Sequence, residues 1–267
     1  MFQYDEPWDS QPPAGIRSES ENDWVLLHSA ANIFNRKYSF EPVGAGVINV
    51  RQSGLCFAPS GSTNDGWRTK ENFDAISGAA TLTVVAEFVA RTTTTGTIFG
   101  RWGATANLGG MIVTFDSGGV AFIVSPGPGA ATWRGQRSTA ITAGKKHRFV
   151  GVWRGGSVME IYLDGVACPS SVWFSGSPAA IQTVSEKLYF CRHADAASGD
   201  TGSGVAVSLA GIKLSAISSQ EAVSLSENPW QLFDPQPLYI PVAAAGGATF
   251  NPSWACGSNA ILTAGVI

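Results

Sequence analysis

The segment from His147 to Cys168 constrains the fold most, because it carries the signals of two successive β-hairpins. Gly155-Gly156 predicts a first turn, and the apolar run that follows predicts a returning strand ending at Asp164-Gly165. Asp-Gly between apolar strands is a strong hairpin signal, because both central positions of the favoured turn need positive φ. The segment therefore predicts an antiparallel β-meander. Alternate spacing places three residues on one face of its first strand: Phe149, Gly151 and Trp153.

Short strands and one short helix are predicted over the rest of the chain. The 31 Gly and 14 Pro among 267 residues disfavour long helices. The helix is predicted to begin near Ser218, which stands three residues before Glu221 as in a capping box, and to end at Asn228-Pro229. The predicted strands include Thr81 to Val89, Met111 to Phe115, Val120 to Val124, Leu188 to Phe190 and Val205 to Leu214.

Composition and charge exclude several classes of protein. With 17 Lys and Arg against 20 Asp and Glu, the net charge is −3, so a basic nucleic-acid-binding surface is not expected for the whole chain. The chain lacks the apolar run that a membrane span needs, and its first twenty residues do not resemble a secretory signal. The cysteines are scattered without zinc-site spacing, and we expect free thiols at Cys56, Cys168, Cys191 and Cys256.

Three parts of the chain differ in pattern: an extended arm over 1–22, a β-sandwich over 23–233, and a linker and second arm over 234–267. The arms are rich in Pro, Gly or small residues, yet both carry apolar anchors. Burying one such ring is worth on the order of 2 kcal/mol, so we expect the arms to dock on a protein surface. The expected assembly residues are Phe2, Tyr4, Trp8, Phe250 and Trp254.

The order of elements from about Thr81 to Leu225 resembles the concanavalin A-like jelly roll of the laminin-G-like type. The resemblance rests on the strand that ends at Trp153, on the hairpin Ile161-Tyr162-Leu163-Asp164-Gly165 and on the closing Asn228-Pro229-Trp230. It covers rather more than half of the chain, through pattern and order. It implies an all-β jelly-roll sandwich flanked by the two arms.

The two ends resemble virion proteins of tailed bacteriophages that carry this sandwich. The matching residues are Tyr4-Asp5-x-Pro7-Trp8 at the start and Phe250-Asn251-Pro252-x-Trp254 near the finish. The resemblance implies a non-enzymatic virion structural protein, assembled in the host cytoplasm with other virion proteins as a homo-oligomer, for which we expect a trimer. A tail, baseplate or tail-fibre component with a lectin-like domain for host attachment, through a cell-surface glycan or pilus, is favoured. A capsid decoration protein is the alternative.

Catalysis is a weaker hypothesis. Glycoside hydrolases also use this sandwich and need two facing carboxylates about 5–9.5 Å apart. The nearest pair, Glu160 and Asp164, lies about 13 Å apart along a straight strand, and Asp164 serves the hairpin. His28, His147 and His193 show no metal-site spacing, and no cofactor is expected. Some laminin-G domains bind calcium at a loop edge, so the resemblance leaves Asp116, Asp195 and Asp200 as candidate ligands, although no metal site is expected.

Binding is the better hypothesis, because Trp stands beside Arg in three segments that look like loops. Aromatic faces stack on sugar rings, and a guanidinium donates paired hydrogen bonds, so such loops suit glycan recognition or protein interfaces. For Trp102 and Trp153 a place in the core is the competing interpretation. The predicted binding residues are Trp67, Arg68, Arg101, Trp102, Trp133 and Arg134.

Overall fold

Two antiparallel sheets pack face to face in the computed structural model. It describes residues 24–28, 38, 40–43, 47–51, 54–58, 66–90, 95–102, 109–116, 118–169, 171–192 and 205–232. The first sheet runs in the order β13 (Val166–Ala167), β12 (Met159–Leu163), β11 (Lys146–Trp153), β6 (Leu82–Ala90), β16 (Val205–Lys213), β4 (Gly54–Ala58) and β3 (Val47–Arg51), and β1 (Trp24–His28) also pairs with β16. The second runs β14 (Ser171–Ser175), β10 (Arg134–Ala140), β9 (Gly119–Val124), β8 (Gly110–Asp116), β7 (Thr95–Trp102), β15 (Tyr189–Phe190), β5 (Gly66–Thr69) and β2 (Phe40–Val43).

The predicted meander is confirmed as β11, β12 and β13. Asp164 and Gly165 both have positive φ, 52° and 83°, as the Asp-Gly turn requires. The Asp164 carboxylate also holds the hairpin, since it accepts hydrogen bonds from the Arg148 backbone N–H at 2.7 Å and lies 2.7 Å from His147 Nδ1. Phe149 and Trp153 share one face of β11, as predicted, and this face points inward, because both side chains are fully buried in the core between the sheets.

The predicted helix is confirmed as α1 (Ser219–Glu227). Ser218 is its N-cap, and the Ser218 hydroxyl accepts a hydrogen bond from the Glu221 backbone N–H at 3.2 Å. The helix covers the outer face of the first sheet, where it and the 3-10 turn Pro229–Leu232 bury a second apolar cluster. Short 3-10 turns also occur at Asp74–Ile76 and Ala130–Thr132.

A buried carboxylate lies between the helix and the sheet. Glu87 of β6 is fully buried and accepts hydrogen bonds from Arg148 Nε at 3.0 Å, Trp230 Nε1 at 3.1 Å and the Ser208 hydroxyl at 2.9 Å. Because a buried charge is costly without partners, these donors tie the helical turn to the sheet. The helix side of the first sheet is thereby closed.

The described residues all belong to one compact unit. The arms at 1–22 and 234–267, with their five aromatic anchors, lie outside the described residues, as do Asp195 and Asp200. Within the described ranges, no helix has the length and apolar character that crossing a bilayer requires.

Candidate functional site

The sequence predicted that the three Trp-Arg pairs lie in loops, but five of the six residues lie in strands, and the pairs do not form one site. Only Trp133 lies in a connection, between the 3-10 turn Ala130–Thr132 and β10. Trp67 and Arg68 belong to β5, Arg101 and Trp102 end β7, and Arg134 begins β10. Strand β15 separates β5 from β7 in the second sheet. Trp67 packs in the core, and Arg68 Nε donates to Glu41 Oε1 at 2.6 Å. This pair is therefore part of the scaffold, because its ring and its guanidinium are both occupied there.

Arg101 faces inward and has a structural role. Strand pairing puts it in a row with Met111 and Val124, which lie in the core. The fully buried Arg101 guanidinium donates from Nη1 to the Ser77 hydroxyl at 2.6 Å and to the Val184 carbonyl at 2.9 Å, and from Nη2 to the Gln182 carbonyl at 2.8 Å. Burial lowers the pKa of Arg101 to about 10. Its donors pin two chain segments onto the sheet.

Arg134 lies in the same inward row, opposite Val124 and Ser175. Its residue surface is only 8% exposed, and its Nε has no hydrogen-bond partner. Burial lowers the pKa of the Arg134 guanidinium. Arg134 therefore projects away from the outer face of the sheet, on which the neighbouring Trp133 ring lies.

Aromatic rings gather on the outer face of the second sheet instead. Trp102 and Trp133 meet edge to face with ring centroids 4.9 Å apart, and Trp133 meets Phe174 edge to face at 5.2 Å. The rings cover Ile112 and Ile123, which share this outer face. Such geometry suits the charge distribution of aromatic rings. Of the six predicted binding residues, Trp102 and Trp133 are therefore in contact on this face.

The next ring belongs to Trp173 on the edge strand β14. Between Gly135 and Gln136 the register of β10 against β14 shifts by one residue, which makes a β-bulge at Trp173. A bulge re-aims a side chain, and here the Trp173 and Phe174 rings stack 5.1 Å apart at 26°. Trp173 is 37% exposed. We name the four rings Trp102, Trp133, Phe174 and Trp173 the aromatic run.

A glycine seats the aromatic run against the sheet. A Cβ on Gly135 would lie 2.9 Å from Phe174 Cδ2 and 3.2 Å from Ile123 Cγ1, so only glycine lets the Phe174 ring lie this close to β10. At the open end of the aromatic run, Arg137 Cζ lies 5.6 Å from the Trp173 ring centroid, a cation–π arrangement. The outcome is an aromatic surface that begins buried at Trp102 and ends exposed beside a cation.

Sequence reasoning missed Trp173, Phe174 and Arg137. The available signal was Val172-Trp173-Phe174, an apolar run between serines in an otherwise polar segment. Such a run does not alternate, and a strand that abandons alternation often contains a bulge. The sequence did not show which strand β14 would pair with.

Glu160 and Asp164, the carboxylate pair considered for hydrolysis, both accept hydrogen bonds from residues that support the fold. Glu160 accepts two hydrogen bonds from Arg154, at 3.0 and 2.9 Å, and one from the Tyr162 hydroxyl at 2.7 Å. The Arg154 guanidinium holds the pKa of Glu160 below its ordinary value of 4.5, and a lowered pKa is unsuited to a general acid.

Within the described side chains, no group of three His, Cys, Asp or Glu is placed to hold a metal ion. Asp116 ends β8, and its side chain lies outside the described part.

Similarity to known proteins lies in the fold. No protein-family profile and no curated protein matches the sequence. Among solved structures, the botulinum neurotoxin serotype G binding domain is similar with a TM-score of 0.54 and 11% identity, over 76% of this chain and 50% of that one. The binding domain of botulinum neurotoxin DC in complex with SialylT is similar with a TM-score of 0.54 and 9% identity, over 79% and 52%.

A third similar structure is the binding domain of Paraclostridial Mosquitocidal Protein 1. Its TM-score is 0.52 at 9% identity, over 72% of this chain and 47% of that one. The chain has a jelly-roll β-sandwich fold. It spans about half the length of these three structures.

Replacing Arg101 by Met tests its structural role. The change leaves the Ser77 hydroxyl and the Val184 and Gln182 carbonyls without their buried donor, so we expect the free energy of unfolding to fall by about 3 kcal/mol. Urea denaturation of the full chain measures it. Arg68→Met, which removes a partly exposed ion pair, is the control and should cost about 1 kcal/mol or less. Equal small losses in both variants would contradict the assignment.

The ion pair of Glu160 and Arg154 should make the stability difference between wild type and Glu160→Gln depend on pH. Because the pKa of Glu160 is lowered by folding, its carboxylate stabilises the protein above pH 4.5, and this contribution is lost as the pH falls through the folded value. Glu160→Gln should therefore reduce the free energy of unfolding at pH 7 by at most about 1 kcal/mol, since the pair is partly exposed. The difference from wild type should shrink below pH 4.5. A difference that grows with acid would contradict the sign.

Proposed function

We propose that this chain is a non-enzymatic attachment module that binds cell-surface glycans through the aromatic run. One observation carries the proposal: rings from three separate segments converge on one outer sheet face and end at the exposed Trp173. A protein that needed these rings only for its core would bury Trp173 as well. The core between the sheets is complete without them.

The chemistry of the aromatic run suits a sugar. The C–H faces of a pyranose ring are apolar and stack on aromatic faces, while its hydroxyls bond to nearby polar groups. The indole Nε1 of Trp133 is already committed to the Gly127 carbonyl at 3.0 Å, which fixes the orientation of that ring. A ring held in place loses little conformational freedom on binding, which favours affinity.

The similar structures support the proposal by analogy. Those compared above are binding domains, and one is in complex with SialylT. A further similar structure, at a TM-score of 0.55 and 11% identity, is from botulinum neurotoxin type C, whose cell entry depends on two ganglioside molecules. Fold analogy alone does not assign a site, so the assignment rests on the aromatic run.

The proposed carrier of this module is a bacteriophage tail, baseplate or tail fibre. Support comes from the sequence resemblance of both arms, Tyr4-Asp5-x-Pro7-Trp8 and Phe250-Asn251-Pro252-x-Trp254, to tailed-phage virion proteins. An attachment module must be anchored to something that carries it to the cell, and aromatic arms can provide that anchor through other virion proteins.

The position on the particle is testable with an antibody. Immunogold labelling of particles that contain this chain should place the label at the tail tip, where a receptor-binding domain meets the cell. Label distributed over the head would instead indicate a capsid decoration protein.

Replacing Trp173 by Ala tests the attachment function. Since Trp173 is the exposed end of the aromatic run, we expect binding to the positive members of a glycan array to fall roughly tenfold or more. The matched control is Leu214→Ala, because Leu214 is a similarly exposed apolar side chain, at 46%, directly after β16. Absence of any bound glycan, or equal loss in both variants, would contradict the proposed function.

A further inference from the structure

The inward face of strand β10 is polar, although it faces the core between the sheets. Its alternate residues Arg134, Gln136 and Ser138 are only 8–9% exposed. The Ser138 hydroxyl accepts a hydrogen bond from the Val120 backbone N–H at 2.9 Å, and Gln136 also has an interaction partner. Arg134 differs, because it makes no hydrogen bond or ion pair with any described residue, and its buried Nε has no partner.

Arg101 shows what a buried arginine needs in this sheet. It lies in the same inward row, and its guanidinium donates to the Ser77 hydroxyl and to two carbonyls. Arg134 is buried without such acceptors. A buried charge without partners is unfavourable, and an apolar side chain of similar length would cost less at this position. Arg134 therefore lowers the stability of the free protein, which indicates that a ligand supplies its acceptor.

The edge of the second sheet is open next to Arg134. Ser175 of the edge strand β14 pairs with Arg134, and Val172 pairs with Gln136, so both face inward as their partners do. Ser175 is nevertheless exposed, and Val172 is 53% exposed. Strand β13, at the same edge of the first sheet, has only two residues, and both are exposed. The inner side of β14 is therefore uncovered, and a ligand can reach the Arg134 guanidinium from this edge.

We propose that Arg134 binds a carboxylate at this edge of the sandwich. A planar guanidinium donates two parallel hydrogen bonds to a carboxylate, and the neighbouring Ser175 hydroxyl is a further donor. Burial alone accounts for the lowered pKa of Arg134, so no charged side chain among the described residues acts on it. Its single positive charge balances one carboxylate, whereas a sulfate dianion would leave an excess buried charge.

The proposed carboxylate site is separate from the aromatic run. Arg134 faces inward, whereas the aromatic rings lie on the outer face of the same sheet. The inference therefore goes beyond the proposed glycan binding and does not depend on it.

Thermal unfolding of the full chain in sodium acetate tests the proposal, with sodium chloride at the same ionic strength as the reference. A ligand that binds only the folded state raises Tm as its concentration increases. We expect acetate at saturating concentration to raise the Tm of wild type by about 2 °C or more. Glucuronate and N-acetylglutamate amide carry the same group on a sugar and on an amino-acid side chain. The one that acts at the lower concentration identifies the source of the carboxylate.

The variant that isolates the contact is Arg134→Met, in which the response to acetate should disappear. In chloride, its Tm should equal or exceed that of wild type, because an unpartnered buried charge is removed. Arg101→Met, in the same inward row, should instead lower Tm. The matched control is Arg68→Met, which removes a guanidinium that is already paired with Glu41 in the same sheet. Arg68→Met should keep the response to acetate.

Two results with Arg134→Met would overturn the proposal. One is a Tm in chloride below that of wild type, because Arg134 would then stabilise the fold as Arg101 does. The other is a response to acetate equal to that of wild type. A nitrogen-15 NMR signal of Arg134 Nε–H that stays in place when acetate is added to wild type would overturn it without any variant.

Sulfate tests the choice of a carboxylate over other anions. Its effect is taken as the difference in Tm between wild type and Arg134→Met, which cancels the general stabilising effect of sulfate on proteins. We expect this difference to be smaller in sulfate than in acetate at the same ionic strength. A larger difference in sulfate would overturn the carboxylate assignment. Glycan binding by the aromatic run would stand in each of these cases.

Discussion

Face-to-face packing of the two sheets determines which side chains are buried in the core and which remain on the surface for binding. Each strand presents alternate residues to the interior, and the interior accepts whatever the register places there. Val84, Phe122 and Trp153 fill it as expected of a core. Arg101 is also directed inward, and it is tolerated because chain segments at Ser77 and at 182–184 bring acceptors to its guanidinium. Arg101, which the sequence predicted as a binding residue, therefore stabilises the fold instead.

The two outer faces of the sandwich differ for the same reason. On the first sheet, α1 and the turn at Pro229–Leu232 seal the surface, and the buried Glu87 is satisfied by donors from the sheet and from Trp230. On the second sheet, the aromatic run covers the central isoleucines but continues past them to an exposed edge. A sealed face stabilises, whereas a face that ends in an exposed ring and a cation can bind. This asymmetry is the reason that we propose a binding site on the second sheet.

Local signals predicted much of this fold. The Asp164-Gly165 turn and the Ser218 cap depend on residues adjacent in sequence, so both were readable without knowledge of the rest of the chain. The site was harder, because it depends on partners distant in sequence. Two of the acceptors of Arg101, the Val184 and Gln182 carbonyls, come from about eighty residues further along the chain. Trp173 joins the aromatic run only through a one-residue bulge against β10, and a shift of one residue reverses the face of a side chain.

The central claim is that a glycan binds to the aromatic run. Fluorine NMR tests it most directly. When the nine tryptophans of the full chain are replaced by 5-fluorotryptophan, the spectrum reports each ring separately as a glycan is added. The account predicts that the Trp173 and Trp133 resonances shift with ligand, while those of Trp153 in the core and Trp230 under the helix stay in place. Glycan binding that shifts other tryptophan resonances and leaves Trp173 and Trp133 unmoved would contradict it.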